Sequence, residues 1–311
     1  MWHLNLPSED TLKWYKEKFL DDIADSLIDA KLNDDVLEEI MPKGGKEVLE
    51  KLLTAQPQEL YPLNIELENK IKEKDKEGKS KEKLINAFDY KGRISGDKAV
   101  SYELAKRIGT RTCVYCNRIY SFTVETEDGA TVARPDFDHW LSKDKHPLLS
   151  MSLYNLIPSC PICNRSIKFQ DDFEYSKHVH PYQSDTRRQF RFQYEPVPEG
   201  QWKLKLANCT PEENETAKIL KTEDVYRPYA NSEVKDILDF AYKNTPEYLL
   251  DLRDKVMKAF GGSISKERAY RMVFGTELNA SLYNDRPLSK MKRDVLIQLQ
   301  EALAIKLIDF E

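Results

Sequence analysis

The sequence predicts an α+β protein in which a small core of two strands and a helix is embedded between predominantly helical N- and C-terminal regions. Three observations predict it. Apolar residues recur at helical spacing through residues 1–65 and again after 211. Residues 118–137 alternate as strands do, around a Glu127-Asp128-Gly129 turn. Two Cys-x-x-Cys pairs, Cys113/Cys116 and Cys160/Cys163, frame that alternating stretch. The expected segmentation is a helical region over 1–105, a core over 106–185, and a hairpin followed by helices over 186–311.

In the first segment Ser8-Glu9-Asp10-Thr11 can start a helix, with Phe19, Ile23, Leu27 and Ile28 on its apolar face. Pro42 to Gly45 breaks the pattern, and Val48, Leu49, Leu52 and Leu53 resume it. Residues 66–83 carry lysine at 70, 72, 74, 76, 79, 81 and 83, with acids interleaved. The ordinary reading is a solvated helix or loop; the sharper one is a lysine face touching phosphate. Residues 98–109 read as a helix closing near Gly109.

Strands are expected over 118–126 and 130–137, the second leading directly to Asp138-His139, with a helix after Asn164. Phe190 to Tyr194 and Trp202 to Leu206 predict a further hairpin around Pro196 to Gly200. Helices are then expected at 211–221, 231–260, 264–281 and 288–309.

Composition narrows the class. No apolar run approaches the ~18 residues of a membrane span, and the first ten residues lack a basic start and apolar core. A cytoplasmic protein with no membrane partner is expected. Net charge is −5, whereas proteins that grip nucleic acid alone usually present a positive surface. Positive charge must then be local, or a second subunit supplies part of the grip.

In a reducing compartment the paired cysteines read as metal ligands. Cys-x-x-Cys, a 43-residue insert spanning 117–159, and Cys-x-x-Cys suit a four-thiolate structural Zn²⁺. A redox pair or an iron–sulfur cluster is the lesser alternative. Cys209, alone, reads as a packing residue.

Inside the frame, Asp138 can offer an anionic oxygen to Mg²⁺ (or Mn²⁺), and His139 can act as a general base. Asn164 adds an amide oxygen. Singly, each residue has a plainer reading: an Asp-His pair is usually surface or structural, and an Asn opening a helix is usually a cap. Arg165 and Lys168 follow on the expected helix and are candidates to contact phosphate; a solvated helix face is the alternative. His178 and His180 suit packing better than an ion, and His146 an exposed loop. Tyr115, Tyr120 and Trp140 suit a small core better than base stacking.

The ordered set Cys113-x-x-Cys116, Asp138-His139, Asn155-Leu156, Cys160-x-x-Cys163-Asn164 and Lys168 resembles the HNH endonucleases of the ββα-metal class, in the subclass braced by four zinc-bound cysteines. The resemblance implies a ββα-metal (HNH) core with His139 as general base. Asp138 and Asn164 then become metal ligands, and Asn155 the brace of the catalytic loop. The third position is often His in that family and is Asn here, which favours a hard ion such as Mg²⁺.

The flanking stretches at 152–160, 180–182 and 286–294 resemble HNH components of bacterial anti-phage systems, Septu-like and retron-associated. That likeness implies a defence nuclease acting with an ATPase partner. Cleavage of nucleic acid, DNA before RNA or tRNA, is the expectation. A zinc-stabilised nucleic-acid- or protein-binding subunit without catalysis of its own is the alternative.

Overall fold

The computed structural model describes residues 3–169, 171–183, 190–259 and 265–305. Over these residues the chain is mixed α and β, mostly helical, with two-stranded antiparallel sheets. The backbone gathers into two compact units.

The first unit comprises Leu4–Thr110 and Ser121–Gln183. Helix α1 (Glu9–Asp29) starts where the Ser8 hydroxyl accepts the Thr11 amide at 3.2 Å, satisfying a donor that the first helical turn leaves unpaired. Tyr15, Phe19, Ile23 and Leu27 form its buried stripe. Ile28, expected on that stripe, is exposed. It lies one residue past Leu27, about 100° around the helix.

Helices α2 (Asp34–Ile40), α3 (Glu47–Thr54), α4 (Pro57–Lys74), α5 (Ser80–Phe88) and α6 (Lys98–Ile108) follow. The lysine run falls on α4 and α5, interrupted near Gly78 at φ +67°. Lys70 pairs with Glu66 at 2.7 Å and with Glu39 at 3.4 Å, and Lys74 also pairs with Glu39. These lysines lie on a solvated, ion-paired helix face, which is the ordinary reading.

The expected hairpin is shorter than its alternation suggests. Strands β1 (Val124–Glu125) and β2 (Thr131–Ala133) pair around Gly129. Pro135, which has no N–H to donate, separates β2 from β3 (Asp136–His139). The strand carrying Asp138-His139 therefore does not continue that hairpin. It pairs instead with β4 (Leu156–Ser159), in the register Asp136↔Ser159, Phe137↔Pro158, Asp138↔Ile157, His139↔Leu156. A helical stretch, Cys163–Lys168, follows β4.

Residues 1–105 and 106–185 were expected as separate regions, yet the helices share a core with the loop that joins β3 to β4. Tyr15 donates its hydroxyl to the Met151 carbonyl at 2.8 Å, and the Ser152 hydroxyl donates to the Leu52 carbonyl.

The second unit contains Arg111–Tyr120 and the described part of Ser184–Glu311. The expected hairpin forms from β5 (Arg191–Val197) and β6 (Gln201–Ala207), with Glu199 and Gly200 at positive φ in the turn. Helices α7 (Pro211–Ile219), α8 (Thr222–Tyr229), α9 (Lys235–Tyr242), α10 (Pro246–Ala259), α11 (Lys266–Phe274) and α12 (Ser289–Leu303) complete it. The helix expected over 231–260 splits before Pro246, and the one over 264–281 stops at Gly275 in the left-handed region. Positions 260, 264 and 306–309 of the expected helices, and the 185/186 boundary, lie outside the described residues.

Phe192, Tyr194, Tyr226, Met291, Val295 and Leu299 belong to this unit's core. Asp294 and Gln298, four residues apart on α12, accept the Phe192 and Tyr194 amides at 3.0 and 2.9 Å.

The stretch 111–120 is held here by Asn117. Its Nδ2 donates to the carbonyl of Tyr283 at 2.8 Å and to the Thr112 hydroxyl at 2.9 Å. No described helix is long and apolar enough to cross a membrane.

Candidate functional site

The four cysteines come together. Cys113, Cys116, Cys160 and Cys163 are buried and free of disulfides, and their sulfurs lie within 4.8 Å of one another. A tetrahedral metal with bonds of ~2.3 Å needs sulfurs about 3.8 Å apart, so the set fits an ion such as zinc.

Local backbone supports the sulfurs. The Arg118 amide points to Cys116 Sγ at 3.5 Å and the Cys163 amide to Cys160 Sγ at 3.4 Å. Asn117, at φ +49°, closes the first knuckle through its amide to the Cys113 carbonyl at 2.8 Å. Asn tolerates this left-handed conformation better than most residues. Among the described residues these cysteines are the group of three or more Cys, His, Asp or Glu close enough to share an ion.

A cleft of about 590 Å³ in the first unit brings together Asp138, His139, Asn164, Arg165 and Lys168. β3 delivers Asp138 and His139. The helical stretch after β4 delivers the other three.

His139 is buried, with Nε2 2.9 Å from the Ser150 carbonyl. A carbonyl only accepts, so Nε2 carries the hydrogen and Nδ1 keeps the lone pair of the neutral ring. Burial pushes the imidazole pKa down to about 3, helped by the positive charges of Lys143 and Lys168, while the Ser150 bond opposes the shift. The ring is therefore neutral at pH 7. Tyr90 packs edge-on against it at 4.4 Å between centroids.

Asn155 does not line the cleft but fastens the loop behind it. Its Oδ1 accepts the Leu141 amide at 2.8 Å, and its Nδ2 donates to the carbonyls of Leu141 and Leu149 at 3.0 and 3.1 Å. The Tyr61 hydroxyl reaches the same Oδ1 at 3.4 Å. An amide has the donors and the acceptor for this; a carboxylate has no donor. The position suits the expected brace.

Asp136, not singled out from the sequence, orders the helical side of the site. Its carboxylate takes Arg165 Nε and Nη2 at 3.0 and 3.2 Å and Asn164 Nδ2 at 3.3 Å. The signal was available, because residues two apart on a strand share a face. Tyr90 had no such local signal.

Lys168 corrects an expectation. The sequence suggests a phosphate contact or a solvated helix face, but Lys168 is 3 % exposed. Its Nζ donates to the His139 carbonyl at 2.8 Å and pairs with Asp138 Oδ2 at 2.9 Å. A buried ammonium needs such partners, and Asp138 is held in place by it. Arg165 remains exposed on the rim, its side chain 70 % accessible.

The cleft lining holds Arg134, Lys143, Lys145, Arg165 and Lys168 against Asp136, Asp138, Asp144 and Asp172. Cations lead there although the chain carries −5.

Most of the remaining candidates are packing residues. Trp140 stacks on Phe173 at 5.2 Å, and His180 Nε2 meets the Tyr61 hydroxyl at 3.0 Å. His178 bonds its own turn through Glu174, and Tyr115 is buried; Tyr120, expected in the small core, is instead exposed. His146, expected exposed, is half-buried against Glu68 at 3.0 Å. Cys209 packs beside the second unit's core.

Comparison with protein families, with curated proteins and with solved structures finds no match for this chain.

Proposed function

We propose that the chain is a metal-dependent HNH endonuclease that hydrolyses phosphodiester bonds, with DNA the favoured substrate. One observation carries the reading: Asp138, His139 and Asn164 converge on one cleft, with the loop between β3 and β4 fastened by Asn155. The order strand, loop, strand, helical stretch supports a ββα-metal core.

In this reading Asp138 and Asn164 would hold a Mg²⁺ or Mn²⁺, which would supply charge neutralisation at the phosphate and the departing oxygen. Hard oxygen donors suit that ion. His139 accepts the proton of the attacking water at Nδ1, because Nε2 is committed to Ser150. Water oxygen bonds to phosphorus, the bond from phosphorus to the 3′ oxygen breaks, and the products carry a 5′-phosphate and a 3′-hydroxyl. Lys168 orients Asp138, and the cysteines would hold a structural Zn²⁺. The acidic balance of the chain favours a second component, and the resemblance of the flanks to anti-phage nucleases makes that component an ATPase.

The test is incubation of the purified chain with plasmid and single-stranded DNA plus Mg²⁺ or Mn²⁺, beside His139→Ala. Loss of a general base should slow cleavage by at least ~10²- to 10⁴-fold, with zinc content and circular dichroism unchanged. Wild-type rates in the variant would remove His139 from the mechanism. Silence of the wild type on both substrates would overturn autonomous cleavage.

A further inference from the structure

Phe169 is the most exposed large apolar side chain among the described residues, at 65 %, and it lines the same cleft as Asp138 and His139. The other Phe lining the cleft, Phe137, is buried. An isolated exposed hydrophobe on a convex surface needs no explanation. The phenyl of Phe169 lies instead in a cleft lined mostly by carboxylates and cations.

Its backbone sharpens the point. Phe169 sits at φ +42° and ψ −101°, outside the small left-handed basin that L-residues tolerate. Strain of this kind persists where the surroundings over-determine the conformation. Two anchors do so here. Lys168, the preceding residue, is tied to Asp138 and to the His139 carbonyl. The Asp171 amide bonds the Lys168 carbonyl at 2.7 Å, closing the turn across Phe169. The groups that fix the backbone beside Phe169 are thus tied to the candidate catalytic residues.

We propose that Phe169 is a stacking platform for an unpaired nucleobase beside the phosphate at His139, so that single-stranded or unstacked DNA is the preferred substrate. The proposal rests on the nuclease reading and names its substrate class. A base inside a duplex has both faces covered by neighbours, whereas an unpaired base offers one to an aromatic ring. A phenyl has no hydrogen-bonding group, so the platform is indifferent to base identity. Lys143, which lines the same cleft, is a cation suited to an adjacent phosphate.

The test compares wild type, Phe169→Ala, Phe169→Leu and Phe169→Trp on three substrates. These are a labelled single strand, the same strand with one abasic site walked across the cleaved region, and the annealed duplex. Stacking of one base corresponds to about 5- to 150-fold. Phe169→Ala and Phe169→Leu should lose that factor in kcat/KM on the single strand, mainly through KM, and Phe169→Trp should keep it. One abasic position should penalise wild type by the same factor and leave Phe169→Ala indifferent. Equal cleavage by wild type and Phe169→Ala would overturn the platform while leaving the nuclease standing, as would multiplying Ala and abasic penalties. No metal-dependent cleavage of any substrate by wild type would overturn autonomous cleavage, and the platform with it. Zinc content and circular dichroism of each variant separate these outcomes from misfolding.

Discussion

The cysteine cluster and the Asp138–His139 cleft both gather ligand atoms, and they do so in opposite ways. The cluster presents four identical soft donors, all buried and mutually close. Four thiolates fill a tetrahedral ion and leave no position for a substrate. The cleft presents a carboxylate, an imidazole and an amide in an open volume of about 590 Å³, where cations slightly outnumber acids although the chain is acidic. The contrast teaches how to tell a site that holds structure from one that can do chemistry. The first is saturated and uniform. The second is mixed and open, and its protonation is set by its surroundings, as burial keeps His139 neutral.

The comparison can be broken first at the cluster, where the largest effect is expected. Cys160→Ser should cost the bound metal and the cooperative thermal transition together. Structural zinc contributes ~10–16 kcal/mol in small zinc-finger peptides, comparable to the roughly 5–15 kcal/mol that holds a whole domain. Elemental analysis and a circular dichroism melt measure both. A metal-free variant that melts like wild type would show that the cluster does not hold the fold.

A smaller effect is expected at Asn155. Asn155→Ala leaves the Leu141 amide and the carbonyls of Leu141 and Leu149 without their partner. Each orphaned buried group costs about 1–3 kcal/mol, and partial relaxation makes about 2–4 kcal/mol in total a reasonable expectation from urea unfolding. Metal content should stay at the wild-type level. Loss of metal in this variant would mean that cluster and cleft fail as one unit, and the distinction between them would fall.

Arg165→Ala should be the mildest. Its ion pair with Asp136 is solvent-exposed, and such pairs contribute ~0–1 kcal/mol. The informative reading is the salt dependence of substrate affinity, where loss of one phosphate contact should reduce the log–log slope by about one. An unchanged slope would leave Arg165 as a strut for Asp136 alone.

Some of this was legible locally and some was not. The two knuckles, the Asp138-His139 pair, Asn155 and Asn164 stood out through residue type and spacing. Pro135 also carried a readable message, the end of one strand and the start of another, but the alternation on either side concealed it. Lys168 misled because a lysine three residues after a basic neighbour reads as surface. Nothing local says that its ammonium turns inward to Asp138.

By itself the sequence determined which chemistry was possible: thiolates in pairs, hard oxygens next to an imidazole, helices on both flanks. These follow from side-chain type and short-range periodicity, which act within a few residues. Only the tertiary structure decided that β3 pairs with β4, that Ser150 takes the Nε2 hydrogen of His139, and that Tyr90 and Phe169 join the cleft. The pairing of Asp138 with Lys168, 30 residues on, is of the same kind. Such contacts are set by which surfaces meet when the core closes, and that depends on the packing of residues far apart in the chain.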